Sequence, residues 1–236
     1  RLAPDVYRGV TPVTREGDRF TLNGDGEIVD HAVVMQRLPD EDRADHRLAR
    51  GELRDAHLRQ AAETLAQFHA EAASGPEIAA RGEAEAVRVS VRENFAQTRT
   101  CLPRLLGPEE ALELERWQEG FLEREASRFH ARAESGRVRD GHGDLRLEHL
   151  YFDPQDELRI LDCIEFSDRL RHVDVVCDIA FLAMDLGVKG RVDLAERFLA
   201  LYAESARDHD LYGLVDFYES YRAFVRGKIA CFALED

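Results

Sequence analysis

The sequence predicts an α+β fold, in which a small β-rich segment is followed by a larger and mainly helical body. Three observations predict this fold class. Strand patterns are confined to the first 40 residues, helical periodicity dominates from about residue 40, and a hairpin pattern interrupts the helices within residues 136–166. Two or three antiparallel strands are too few to be stable alone.

The β-rich segment contains three candidate strands. Residues 6–13 form an extended run, and residues 20–22 lead into the turn sequence Asn23-Gly24-Asp25-Gly26. Glycine and asparagine accept the backbone angles that tight turns require, so this tetrapeptide is a strong turn signal. Residues 32–35 follow as a short apolar strand.

The helical body is predicted from apolar periodicity and from proline positions. Pro76 and Pro108 are each placed to open a helix, where proline is favoured in the first turn. Residues 87–95 fit a helix or a strand, and we prefer a helix because the segment is long and charged. The apolar residues at helical spacing before Pro76 are Leu58, Ala61, Ala62, Leu65 and Phe68. The buried face expected after Pro108 is Leu114, Trp117 and Phe121. The last three helices are expected at about 173–186, 191–206 and 211–233.

The charge balance limits the classes of partner. The formal net charge of −15 repels phosphate backbones, so nucleic acid is not an expected partner, whereas cationic ligands would be tolerated or attracted. No apolar run approaches the roughly 20 residues of a membrane helix. The N-terminus has no apolar stretch of signal-peptide type. We therefore expect a cytoplasmic protein with no membrane partner.

The four cysteines are far apart in the sequence. Cys101, Cys163, Cys177 and Cys231 form no C-x-x-C pair, and none joins a histidine at zinc-site spacing. We expect all four to be reduced core residues, because free cysteine is among the most buried residue types.

The chemistry is concentrated in two short stretches that flank the predicted hairpin. Asp144 precedes the hairpin and Asp162 follows it, within residues 141–149 and 161–166 respectively. Because a hairpin returns its ends to the same place, the two carboxylates should lie within several ångströms of one another. Gly141 and Gly143 allow the backbone to turn tightly before the first aspartate.

Two carboxylates held close together repel each other unless something neutralises them. A divalent metal with phosphate is suited to this task, because Mg²⁺ binds carboxylate and phosphate oxygens. Phosphoryl transfer needs one acid to orient the acceptor hydroxyl and another to hold metal. The alternative is that both aspartates are turn caps on a surface hairpin, where aspartate is common.

The stretch Gly141-His142-Gly143-Asp144 through His149 resembles the H-G-D-x-x-x-x-N catalytic loop of aminoglycoside phosphotransferases and choline-kinase-like enzymes. Leu161-Asp162 resembles the second motif of that family, at the family's 18-residue separation. The run from Asp174 to Ala180 is similar to the helix that follows. Residues 141–186 also resemble a bacterial subgroup that is often fused to a P-loop kinase domain, which is therefore a possible partner domain in the parent protein.

The resemblance implies a protein-kinase-like fold and a role for each matching residue. Asp144 would be the catalytic aspartate, Asp162 the principal Mg²⁺ ligand and His142 the histidine that stabilises the catalytic loop. Asp178 would hold that loop from the following helix. The strand and hinge that contact adenine would include Met35, Gln36 and Leu38. Residues 1–38 would then be a remnant of the N-lobe with its hinge, and residues 39–236 a helical C-lobe with the catalytic hairpin at 136–166.

One departure from the family concerns His149, where asparagine is usual. Imidazole nitrogen suits Mg²⁺ less well than a hard oxygen does. His149 could bind metal weakly or bind phosphate when protonated, or Glu148 or Glu165 could replace it as a ligand. We favour Glu165, whose alternative role is a salt bridge to Arg169 or Arg171.

A second departure is that no lysine occurs before residue 189. Kinases of this fold use a lysine on an early strand to hold the α- and β-phosphates of ATP. Either the lysine strand and its neighbours lie upstream of this chain, or the chain is a degenerate and non-catalytic relative.

The functional prediction is an ATP- and Mg²⁺-dependent enzyme that phosphorylates a hydroxyl of a small polar molecule, with residues 40–135 and 187–236 forming the substrate pocket. The acidic run between Glu110 and Glu125 would suit a cationic substrate, although such runs are more often solvated helix faces. The alternatives are a pseudokinase-like binding or regulatory module and, with less support, a hydrolase.

Overall fold

The structure is a computed structural model, and it describes residues 1–233. The strands in this part of the chain are β1 Tyr7–Glu16, β2 Arg19–Leu22, β3 Glu27–Met35, β4 Val138–Asp140, β5 Leu150–Phe152, β6 Leu158–Ile160 and β7 His172–Asp174. The helices are α1 Ala44–Ala49, α2 Asp55–Glu71, α3 Pro76–Ala79, α4 Ala84–Thr98, α5 Pro108–Arg124, α6 Ala126–Glu134, α7 Asp168–Arg171, α8 Val175–Val188, α9 Val192–Ala206 and α10 Val215–Phe232. Within this described stretch, none of the helices is both long and apolar enough to cross a bilayer.

The chain forms two compact units. Unit 1 contains residues 1–52 and 148–161, and unit 2 contains residues 53–147 together with the chain from residue 162 onward. The hairpin of β5 and β6 therefore belongs with the N-terminal strands by its contacts. The family resemblance implied a boundary between two kinase lobes after residue 38. That boundary stays a prediction.

Unit 1 is built on a three-stranded antiparallel sheet in the order β2-β1-β3, with Val10 opposite Val33. The predicted hairpin is present, and β5 pairs with β6 across the turn at residues 153–156. Arg47 fixes this hairpin, because its Nη2 donates to the carbonyl oxygen of Phe152 at 2.7 Å. The apolar residues that pack together within unit 1 are Ala3, Val6, Leu38, Tyr151 and Leu161.

Unit 2 is a helical body whose centre is α8. Almost every residue of α8 is buried, which is typical of a helix that is apolar on all sides and surrounded by other helices. Helices α9 and α10 both pack against α8, and α2 packs against α9. Asp174 caps the N-terminus of α8, because its side chain accepts from the backbone N–H of Val176 at 2.9 Å. The three helices predicted for the C-terminal part of the chain are confirmed.

The buried face predicted for α5 is wrong in part. Trp117 is 38% exposed, whereas Gln118 and Leu122 are the buried residues of the helix. The Nε2 of Gln118 donates to Ser220 Oγ at 3.0 Å, which satisfies a buried amide on the face that packs against α10. The buried face of α5 lies one residue further along the helix than its apolar periodicity predicts, because the polar Gln118 occupies the centre of the contact with α10.

The prediction of four reduced core cysteines is also wrong. Cys101 and Cys231 form a disulfide with a Cα–Cα distance of 5.7 Å and 130 residues between them in the sequence. Cys177 is a buried free thiol as expected, whereas Cys163 is only partly buried. The chain spacing of the cysteines could not reveal that the end of α10 returns to the segment that follows α4.

We expect the Cys101→Ser/Cys231→Ser double variant to unfold more readily, because the disulfide closes a long loop. A disulfide typically contributes about 2–4 kcal/mol, and more when the loop it closes is long, so chemical denaturation should show a loss of at least that order. Cys163→Ser is the matched control and should unfold like the unmodified chain. Equal stability of the double variant and the control would contradict the disulfide.

Candidate active site

The two motif aspartates lie together in unit 2, as the hairpin argument predicted. Asp144 stands on the loop that follows β4, and Asp162 comes two residues after the end of β6. A carboxylate oxygen of Asp144 and one of Asp162 lie within 4.8 Å of each other. Asp144 is half-buried and Asp162 is exposed, so the pair faces an open region rather than the apolar interior.

Asp162 has a left-handed backbone conformation, with φ of 64°. Aspartate is one of the few non-glycine residues that adopts this conformation regularly, although it does so at a cost in free energy. Backbone strain of this kind is concentrated at functional sites, because it fixes where a side chain points. The strain at Asp162 is therefore consistent with selection for the position of its carboxylate.

The loop before Asp144 is held by a buried carboxylate. Asp178 on α8 accepts hydrogen bonds from the backbone N–H of His142 at 2.6 Å and of Gly143 at 2.9 Å. A Cβ at Gly141 would lie 2.4 Å from Asp178 Oδ2, so a larger residue there would displace the carboxylate. Gly143 has φ of 86°, a conformation that side chains rarely tolerate.

The other end of the loop is held by the same helix. The Asp185 carboxylate accepts from the backbone N–H of Leu147 at 3.0 Å. Asp178 and Asp185 are seven residues apart, which places both on one face of α8. This helix thus fixes the backbone on both sides of Asp144, and Asp185 was missed because one carboxylate on an apolar helix has no sequence signature.

Burial would raise the pKa of Asp178, but the hydrogen bond from His69 and the charges near it hold that pKa far below the ordinary aspartate range. His69 Nε2 lies 3.4 Å from Asp178 Oδ2, and Arg222 Nη2 lies 3.7 Å from Oδ1. The Nδ1 of His69 is in turn 2.7 Å from the hydroxyl of Tyr202. These partners keep Asp178 ionised in a completely buried position.

His142 has the contacts of a positioning residue. Its ring is fully buried, and its Nδ1 accepts from the backbone N–H of Asp144 at 3.2 Å. Its carbonyl oxygen accepts from the backbone N–H of Ile164 at 2.9 Å. His142 therefore joins the segment before Asp144 to the segment after Asp162, and its direct participation in catalysis stays a prediction.

Arg146 was not singled out in the sequence, although it forms the clearest ion pair of the site. Its Nε donates to Asp144 Oδ1 at 3.2 Å and its Nη2 donates to Oδ2 at 2.9 Å. A two-point pair of this kind fixes the plane of the carboxylate as well as its charge. The sequence signal that could have identified this ion pair is an arginine two residues beyond the motif aspartate.

Asp144 and Asp162 line a cavity of about 410 Å³. Glu165 lines the same cavity, but its carboxylate is not among the ligand atoms that cluster within 4.8 Å. The alternative prediction for Glu165 was a salt bridge to Arg169 or Arg171. That prediction is wrong within residues 1–233, because Arg169 pairs with Glu93 and Arg171 pairs with Asp140. Glu165 thus remains a candidate metal ligand at the edge of the site.

The remaining predicted site residues belong to unit 1. His149 is buried, and its carbonyl oxygen accepts from the backbone N–H of Leu161 at 2.9 Å. Met35 is exposed at the end of β3, and the backbone N–H of Gln36 donates to Val6 at 2.8 Å. Leu38 packs in the apolar cluster of that unit. The adenine-binding role of residues 35–38 and the metal-binding role of His149 stay predictions.

Substituting Asp162 with glycine tests whether the backbone is strained at this position. Asp162→Gly removes both the left-handed strain and the repulsion from Asp144, so we expect it to raise the free energy of unfolding by up to about 1 kcal/mol in chemical denaturation. Asp156→Gly is the comparison variant, because Asp156 has φ of 61° but its carboxylate pairs with Arg47 at 3.3 Å, so its gain in stability should be smaller. A destabilised Asp162→Gly protein would contradict this account of the strain.

Asp178→Asn should lower the free energy of unfolding by about 3–5 kcal/mol, as expected when one member of a buried charged network is neutralised. Because the pKa of Asp178 is depressed in the folded protein, its contribution is complete above the ordinary value of 3.8 and is lost as the pH falls below it. The stability difference from wild type should therefore narrow in denaturation curves measured below pH 3.8. A constant difference down to strongly acidic pH would contradict the depressed pKa.

Comparisons with known proteins identify the family. The profile of the phosphotransferase enzyme family, APH, matches residues 2–218. The uncharacterized protein Rv2004c of Mycobacterium tuberculosis H37Rv and the uncharacterized protein Mb2027c of Mycobacterium bovis are each 34% identical over 231 residues, which is 98% of this chain and 45% of each relative. The chain thus spans less than half the length of these curated relatives, and no solved structure matches it significantly. With the family profile covering nearly the whole chain, this protein belongs to the phosphotransferase enzyme family, which includes aminoglycoside phosphotransferases and choline-kinase-like enzymes.

Proposed function

We propose that this protein is an ATP-dependent phosphotransferase that transfers the γ-phosphoryl group to a hydroxyl of a small polar molecule. The observation that carries the proposal is the convergence of the Asp144 and Asp162 carboxylates on one cavity, in a chain of the phosphotransferase family. A cavity of about 410 Å³ is within the range of small-molecule sites.

Asp144 is suited to orient the acceptor hydroxyl and to accept its proton. In the proposed reaction the O–H bond of the acceptor breaks, a new bond forms between its oxygen and the γ-phosphorus, and ADP leaves with the bridging oxygen. Arg146 and the loop fastened by Asp178 hold the Asp144 carboxylate in place. Positioning of this kind supplies much of the rate in phosphoryl transfer, where the protein forms no covalent bond.

The donor atoms fit magnesium. Two carboxylates within 4.8 Å offer hard oxygen ligands, which Mg²⁺ prefers. Asp162 would be the principal ligand, with Glu165 or His149 as further ligands. When bound, Mg²⁺ would neutralise charge on the phosphate oxygens and on the two aspartates.

The rest of the nucleotide site is proposed from the family resemblance. Met35, Gln36 and Leu38 would contact adenine, within a two-lobed kinase-like fold. A cytoplasmic location and a fused P-loop kinase domain in the parent protein also remain proposals.

A non-catalytic binding module is the second candidate, and one contact favours it. Arg146 pairs with Asp144 through both carboxylate oxygens, so the proposed base is neutralised by the protein itself. A pseudokinase-like domain could keep this pair as a structural element. The exposed Asp162 favours the enzyme instead, because its carboxylate lies beside that of Asp144 at the same cavity and its left-handed backbone fixes its direction.

The decisive experiment compares nucleotide binding and ATP consumption by the full-length protein with and without Mg²⁺. Sugars, aminoglycosides, amino alcohols and hydroxy acids would serve as candidate acceptors. We expect Asp144→Asn to keep nucleotide binding but to lower turnover by about 10²–10⁴-fold, the usual contribution of a positioned base. Asp193→Asn is the control, since Asp193 is exposed and pairs only with Arg191 among the residues described.

A binding module would give a different pattern. Nucleotide would bind without Mg²⁺ or not at all, and the wild-type protein and Asp144→Asn would consume ATP equally slowly with every acceptor. That result would overturn the proposed enzymatic function.

A further inference from the structure

The cavity beside the two aspartates has a cationic wall. Helix α10 lines it with Arg222, Arg226 and Lys228, and Asp144 and Asp162 line the same cavity. Lys228 is one of only two lysines in the chain, and the other, Lys189, does not line this cavity. The part of the cavity wall formed by α10 is therefore positively charged, in a protein whose net charge is strongly negative.

Two of these cations have no carboxylate partner among residues 1–233. Lys228 Nζ donates to two neutral amide oxygens, Asn94 Oδ1 at 2.7 Å and Gln97 Oε1 at 3.1 Å. Arg226 is exposed, and no ion pair or hydrogen bond joins its guanidinium to any residue in the described part of the chain. The nearby carboxylate of Glu93 is already paired with Arg169. Both cations are thus available to an anion in the cavity.

Two buried donors at the same cavity make no hydrogen bond. They are the Nδ2 of Asn94 and the Nη2 of Arg222, the latter only in ion-pair range of Asp178 Oδ1 at 3.7 Å, and both residues line the cavity. Asn94 is 5% exposed and Arg222 is 6% exposed. Unsatisfied buried donors are rare in folded proteins because each has lost its hydrogen bonds with water. A ligand with oxygen acceptors would satisfy these donors.

The lining also contains apolar side chains. Phe181 and Val225 line the cavity, and so does Phe166, which is 77% exposed. An exposed aromatic ring beside a polar site is suited to cover the body of a ligand. Burial also lowers the pKa of Lys228, and an anion beside the ammonium group would raise that pKa again.

We propose that the acceptor of the phosphoryl group is a hydroxylated organic anion, whose carboxylate or phosphate group is bound by Lys228 and Arg226 while its hydroxyl lies at Asp144. The hydroxyl position rests on the proposed function, whereas the anion site stands on the contacts of α10. The glutamates of α5 that suggested a cationic substrate do not line this cavity. The negative charges of Asp162 and Glu165 do not exclude an anionic acceptor, because a divalent cation can bind to these carboxylates and neutralise them.

The first test measures anion binding without the reaction. Inorganic phosphate and acetate would be titrated into the full-length wild-type protein, free of Mg²⁺ and nucleotide, with calorimetry and NMR shifts as readouts. The Arg226→Gln/Lys228→Gln double variant in the same background should bind the preferred anion about tenfold more weakly or worse. Arg116→Gln/Lys189→Gln is the matched control, since it removes an exposed arginine and the other lysine, neither of which lines the cavity.

The preferred probe identifies the anion, with tighter phosphate binding indicating a phosphate ester and tighter acetate binding indicating a carboxylate. Equal anion affinity in the double variant and the control, or no binding of either probe by the starting protein, would overturn the proposal. Because this assay requires no turnover, it succeeds or fails independently of the phosphotransferase activity.

The second test uses the best acceptor found in the ATP-consumption screen. Lys228→Gln should raise KM for that acceptor by about tenfold and leave KM for ATP unchanged within twofold. A rise in KM for ATP instead would assign the cationic wall to the nucleotide phosphates and overturn the proposal. The proposal would also be overturned if the best acceptor carried no anionic group.

Discussion

The structure of the site depends on one buried carboxylate. Asp178 accepts two backbone hydrogen bonds from the loop that carries Asp144, and these bonds are strong because the buried carboxylate is ionised. His69 and Arg222 supply the compensating interactions. Removing the negative charge would leave two backbone donors with a weaker acceptor and their loop with fewer constraints.

This constraint explains several features of the surrounding sequence. Gly141 is required because any side chain there would meet the Asp178 carboxylate. Helix α8 is almost wholly apolar except for the aspartates that serve the loop, one near its first turn and one near its last. The helix thus has two functions, since its apolar surface forms the core of unit 2 and its polar residues position the chemistry.

Much of this arrangement could be predicted from the sequence, because it is encoded locally. The hairpin was visible in two apolar runs around an Asp-Pro turn, and a hairpin necessarily brings Asp144 and Asp162 together. The features that could not be predicted depend on residues far apart in the chain. Asn94 meets Lys228 across 134 residues and Cys101 meets Cys231 across 130, and nothing in the local sequence of either pair indicates its partner.

The central claim is that the carboxylates of Asp144 and Asp162 form one site for a metal and the phosphates it accompanies. Electron paramagnetic resonance of Mn²⁺, used in place of Mg²⁺ and titrated with ATP and the full-length protein, tests this most directly. The account predicts that the wild-type protein reduces the signal of free Mn²⁺–ATP and that the Asp144→Asn/Asp162→Asn protein, although folded, does not. An equal reduction by both proteins would show that the metal and nucleotide bind elsewhere.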